Sequence, residues 1–248
     1  MVELLQAERI KLSRHRAAWL TVWIFPIGLV IGAVLATGYE LVRPETPQPA
    51  ANAAAWIADT AKVWTAPMNG LGRYLIAAFT AVAFGGEYGW NTWKLIAPHR
   101  DRTALLLAKY AVVLTMLAVA FVLLAGLYAL TGLINDALTN EPTPRGVEFG
   151  ALLAAHGPGA LRTTVSTLLT VAYASAAAVL TRSTMAGAII AIVAVTLESA
   201  GQLLMVVNPG LYRWTPTHHL ANLGSWIENG RALTIPVTQP PISDGWAV

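Results

Sequence analysis

The chain has 248 residues, 56% of them hydrophobic and only 12% charged, with a formal net charge of +3 and a mean hydropathy of +0.56. Those values lie outside the soluble range and mark an integral membrane protein, in which Lys and Arg report topology rather than affinity for nucleic acid. The absence of cysteine excludes disulfides, thiolate metal sites and cysteine nucleophiles.

In chain order, a polar segment, 1–17, leads into a first apolar run, 18–37. That run is long enough to span and lacks a small-x-small cleavage site, so it is expected to be an uncleaved helix rather than a signal peptide. Gly28 and Gly32 form a G-x-x-x-G that points to close helix approach, and Pro26 is expected to kink the helix. Arg43 to Ala66, with a Pro-rich start and Trp56 and Trp64, is expected to be an external loop containing a short amphipathic helix. A second span is placed at 66–86 and a third at 104–134, the latter longer than a bilayer needs and so tilted or projecting. A fourth, 161–180, and a fifth, 185–207, form a hairpin through Thr181, Arg182, Ser183 and Thr184. After Asn208 no run is long enough to cross, and 208–248 is left as an external segment with a short helical pattern at 209–226. The fold expected is an all-α polytopic bundle with five spans and no internal repeat.

Assigning Lys and Arg to alternate sides of these spans puts nine on one side (Arg9, Lys11, Arg14, Arg16, Lys94, Arg100, Arg102, Lys109 and Arg182) and seven, spread over longer segments, on the other. The nine-residue side, with the N-terminus, is expected to be cytoplasmic.

That orientation makes 84-FGGEYGWNTWKLIAPHRDRTALLLAKY-110 a cytoplasmic island between spans two and three. Gly85, Gly86 and Gly89 would allow a sharp exit from the membrane, Trp90 and Trp93 suit the headgroup level, and Glu87 and Asn91 share one helix face. Physics alone leaves open an ordinary interfacial loop or a surface built to be touched.

Glu87, Thr92, Lys94, Pro98, Arg102 and Lys109 stand in the pattern E-x4-T-x-K-x3-P-x3-R-x6-K. This spacing resembles the permease subunit of type-2 ABC transporters, in particular the bacitracin-export-like branch. The N-terminus agrees, since Glu8, Lys11 and the basic run from Arg14 to Arg16 are similar to that family's cytoplasmic elbow helix. The resemblance covers nearly the whole chain. It implies that 87–102 is a coupling segment docking on an ATPase through Glu87, Tyr88, Trp90, Asn91, Thr92, Lys94 and Arg102. It further implies a homo- or heterodimer of permeases with two ABC ATPase subunits in a bacterial cytoplasmic membrane. It also implies a sixth span, whose entrance 244-DGWAV-248 resembles, and a short re-entrant plug in 208–248.

The chain has no G-x-x-x-x-G-K-[ST], so ATP and Mg are expected in the partner and no cofactor in this subunit. Glu198 lies within span five with Gln202 one turn on, and a carboxylate there is expected to face the protein interior, as part of a path or a helix seam. Thr163, Ser166, Thr167, Thr170 and Tyr173 share a face of span four, where small hydroxyls assist packing more often than they bind ligand. His218 and His219 are adjacent, so on a helix they point about 100° apart and do not suit one metal ion. The remaining alternatives are a membrane scaffold and an intramembrane enzyme, but Glu198 has no matched His or Asp in a neighbouring span to supply catalysis.

Overall fold

The computed structural model of the chain describes residues 2–42, 52–89, 101–139 and 144–229. Every regular element among them is a helix. α1 (Val2–Arg14) is followed by α2 (Arg16–Val42), and α3 (Ala53–Ala61) runs through a 3-10 turn, Lys62–Trp64, into the short α4 (Thr65–Met68). Then come α5 (Gly70–Gly89), α6 (Arg102–Thr139), α7 (Phe149–Thr181) and α8 (Thr184–Ala200). A second 3-10 turn, Gly201–Leu203, leads to α9 (Leu204–Val207), α10 (Pro209–Tyr212) and α11 (Pro216–Asn229). The expected sixth-span entrance lies outside the described residues.

Polar residues begin most of these helices by accepting N–H groups that the first turn leaves unsatisfied. Asn52 Oδ1 takes the Ala55 N–H at 2.8 Å, Asn69 Oδ1 the Gly72 N–H at 2.7 Å, and Asn208 Oδ1 the Leu211 N–H at 3.1 Å. At the start of α2 the acceptor is His15 Nδ1, which takes the Ala18 N–H at 3.3 Å and so separates α1 from the span. Arg182, with φ 53°, closes α7 in the left-handed conformation, and Ser183 caps α8. The expected tight hairpin is therefore a left-handed residue followed by a serine cap.

Among the described residues four helical stretches are long and apolar enough to cross a membrane: Arg16–Val42, Arg102–Leu138, Phe149–Thr181 and Thr184–Val207. The span expected at 66–86 corresponds to α5, which differs from those four. Its 20 residues reach about 30 Å, enough to cross, but they include Arg73 and Glu87. Both charges are met by protein: Arg73 Nε donates to Thr170 Oγ1 at 2.9 Å, and Glu87 meets two lysines. A helix enclosed by other helices can carry charges that a lipid-facing one cannot.

The structure divides into two units, Met1–Thr196 and Leu197–Val248. In the first, α2 packs along α6, α5 along α7 and α2, and α1 on α6. Phe25 and Phe121 meet edge to face at 5.7 Å, and Val22, Ile76, Phe79, Phe84, Val113 and Leu117 fill the centre. Between α5, α7 and α8 the core narrows to Ala77, Ala174 and Ala191, small side chains that let backbones approach where lipid offers little hydrophobic drive. In the second unit Thr217 Oγ1 donates to the Glu198 carbonyl, and the rings of Tyr212 and His218 lie 5.1 Å apart.

Close helix approach occurs at glycines other than those expected. A Cβ on Gly28 or Gly32 would meet nothing within 4 Å, whereas one on Gly85 would lie 2.7 Å from Thr184 Cα. Gly85 is thus not an exit hinge: α5 continues to Gly89, and the missing side chain lets α8 begin against it. Gly85→Val should lower stability by about 1–3 kcal/mol, because backbone would have to move, while Gly28→Ala should leave it nearly unchanged. Thermal unfolding in detergent micelles measures both, and equal effects would contradict this packing.

Candidate functional site

The first two residues of the elbow pattern, Glu8 and Lys11, stand three apart on α1 and therefore on one face. Glu87 lies in the last turn of α5 and Lys109 in the third turn of α6. Packing of α1 against α6 brings all four together. Lys11 Nζ donates to Glu8 Oε1 at 2.8 Å and also to Glu87 Oε1. Lys109 Nζ donates to Glu8 Oε2 at 3.1 Å, lies 2.9 Å from Glu87 Oε1, and is 3.4 Å from the Ala83 carbonyl oxygen.

Each carboxylate meets two ammonium groups, and two positive and two negative charges sum to zero. The balance matters because Glu8, Glu87 and Lys109 are only 7%, 6% and 1% exposed. An isolated charge so placed would lose several kcal/mol of hydration, and only close, multiply hydrogen-bonded partners offset that loss. Lys11 sits at the solvent edge of the ring. Burial disfavours its charge, but hydrogen bonds to Glu8 and then Glu87 outweigh burial and hold its ammonium above the usual lysine range. Leu12, on the same helix and 3% exposed, drives into the core beside them.

Glu87 is therefore turned inward and not displayed on a surface. Tyr88 is partly buried beside it, whereas Arg14 and Arg102 are exposed. Trp90, Asn91, Thr92, Lys94 and Pro98 lie outside the described residues. The residues that flank them are fixed, because the Glu87–Lys109 contact joins the end of α5 to the start of α6.

Residues 4–198 match the model of the ABC-2 family transporter protein. The chain belongs to that family. No curated protein and no solved structure matches it. Membership makes this multi-pass membrane protein a transport permease rather than an enzyme, and such permeases generally work with an ABC ATPase.

Elsewhere in the permease, the hydroxyl face of α7 forms a helix seam. Thr163 Oγ1 donates to the Trp64 carbonyl at 3.0 Å, Thr170 receives Arg73 and donates to the Ser166 carbonyl at 2.9 Å, and Thr167 is buried among them. Glu198 and Val195 are buried, 7% and 0% exposed, but Gln202 is exposed. The expected shared face is lost because α8 ends at Ala200 and Gln202 falls in the 3-10 turn, whose residues advance about 120° rather than 100°. Lys109 was legible as a motif residue yet its place inside the cluster was not. Arg73 and the His15 cap carried no motif signal at all.

Lys109→Met should destabilise this permease by about 3–5 kcal/mol, since two buried carboxylates would then share Lys11 alone. Glu8→Leu with Lys109→Met leaves the neutral Lys11–Glu87 pair and should recover much of the loss. Thermal unfolding of wild type, single and double variants measures the difference, and an undisturbed single variant would deny the cluster its structural weight.

Proposed function

We propose that the chain is the membrane-spanning permease of an ATP-driven exporter of the bacitracin-export-like branch, coupled to a separate ATPase through 87–102. The observation that carries this reading is the four-charge cluster. It ties the elbow helix to both flanks of the segment in which the coupling motif stands.

In this mechanism Tyr88, Trp90, Asn91, Thr92, Lys94 and Arg102 supply contact with the ATPase, and Glu87 is a positioning residue. ATP and Mg bind in the partner, which closes as a pair. The closing motion displaces the docked segment, and two permease copies, identical or different, change the side on which their shared path opens. A charge-balanced, buried ring suits this role because a push on the segment reaches α1, α5 and α6 together instead of being lost in one loop. The cluster end and the N-terminus face the cytoplasm, and the membrane is of the bacterial cytoplasmic type; the excess of basic residues on that side supports the orientation.

Lys94→Glu should abolish stimulation of a co-reconstituted ABC ATPase while leaving the melting temperature of the permease unchanged. Full stimulation in that variant would remove the docking role of 87–102. The chain contains no cysteine, so orientation can be tested with single introduced ones. Pro98→Cys should react with a membrane-impermeant maleimide only after the membrane is opened, and Gln48→Cys should react in intact cells. The opposite labelling pattern would invert the topology and take the coupling assignment with it.

A further inference from the structure

At the other end of α6 a cavity of about 610 Å³ lies between one stripe each of α2, α3 and α6. From Lys109 to Asp136 the helix advances about 40 Å, more than the roughly 30 Å of bilayer hydrocarbon, so the cavity stands at headgroup level opposite the charge cluster. It is open because its walls carry small residues: Ala33 and Ala36 on α2, Ala55 and Ala58 on α3, and Gly132 on α6. A Cβ at Gly132 would lie 3.7 Å from Trp56 Nε1, an ordinary contact distance, so the indole ring stands directly against this stretch of α6.

The polar lining is unbalanced. Glu40, Asp59 and Asp136 face Lys62, the one basic residue lining the cavity among the described residues, and Lys62 already pairs with Asp59 at 2.7 Å. Glu40 accepts a neutral hydrogen bond from Asn135 Nδ2 at 2.8 Å and stands near enough to Asp136 for their charges to repel. Trp56 and Tyr128 add aromatic walls, and ring faces attract cations. Flanking the cavity stripe on α2, Val30, Val34 and Leu41 are 38%, 65% and 56% exposed, an apolar surface of the kind that lies against acyl chains.

We propose that this cavity binds the cationic head of an amphiphile between Glu40 and Asp136, with Trp56 and Tyr128 against its faces and its tail along the exposed side of α2. The combination selects charge and amphipathic shape together: the carboxylates exclude anions, the aromatic walls favour a weakly hydrated ammonium or phosphonium, and the volume admits a bulky head. The site lies within one chain and requires neither an ATPase nor the coupling segment, so it stands apart from the exporter reading.

The test is equilibrium dialysis of the full chain, in maltoside micelles, against tritiated tetraphenylphosphonium, with tetraphenylborate as an anion of the same shape. Saturable binding of the cation and not of the anion is expected. The double variant Glu40→Gln, Asp136→Asn should bind the cation roughly tenfold more weakly. Each single variant, with its melting temperature checked, should show part of that loss. Equal retention of both ions, or undiminished cation binding by folded variants, would overturn the proposal. Competition by phosphatidylethanolamine but not phosphatidylglycerol would identify a lipid headgroup as the source of the cation, and its absence a soluble amphiphile; both leave the cationic site in place.

Discussion

The first unit depends on one electrostatic constraint: charges from α1, α5 and α6 must be buried together or not at all. Lys109 is 1% exposed, and no single carboxylate would offset the hydration its ammonium gives up. Four groups in a neutral ring do so because each carboxylate and each ammonium meets two partners. The ring also explains why α1 packs as part of the bundle. Leu12 and Leu5 provide its apolar contact, but Glu8 and Lys11 determine which turn of α1 meets α6. A shift of α1 by one residue would rotate both side chains about 100° away from Glu87 and Lys109.

Where charges are absent, the helices are held by close approach. Lipid is as apolar as leucine, so contacts between spans rely on packing and on hydrogen bonds within the protein. The alanines between α5, α7 and α8 and the glycines Gly85 and Gly187 serve the first need, with Gly187 set against Ala178. Thr163, Thr170 and the Tyr110–Ser175 pair serve the second. Arg73 belongs with them. Its Nε–H, buried in α5, is accepted by the hydroxyl of Thr170, which donates in turn to the Ser166 carbonyl.

Sequence patterns are most informative here where a single helix determines the outcome. Run length and apolarity locate α2, α6, α7 and α8, and the Asn and Ser residues that cap helices stand in loops where local chemistry suffices. The spacing from Glu87 to Lys109 is likewise visible as a motif. What the motif does not contain is the partner in α1, nearly eighty residues away, that turns Glu87 inward. Gly28 and Gly32 illustrate the same limit. G-x-x-x-G makes close approach possible, but only a neighbouring helix makes it real, and that neighbour stands at Gly85 and Gly187 instead. The α5 helix escapes a pure hydropathy criterion because Arg73 and Glu87 lower its mean, while the partners that accommodate them stand on other helices, which no window along one strand of sequence can sum.

The two ends of α6 follow opposite electrostatic rules. At Lys109 the charges cancel and the space is filled, so the arrangement resists displacement of any one helix. At Asp136 the space is open, and among the described residues lining it three carboxylates face one ammonium. A rigid helix of 38 residues joins them, and α2 runs beside it over the same distance. The filled end therefore fixes how the helices stand against one another, and the small side chains at the open end leave the space between them.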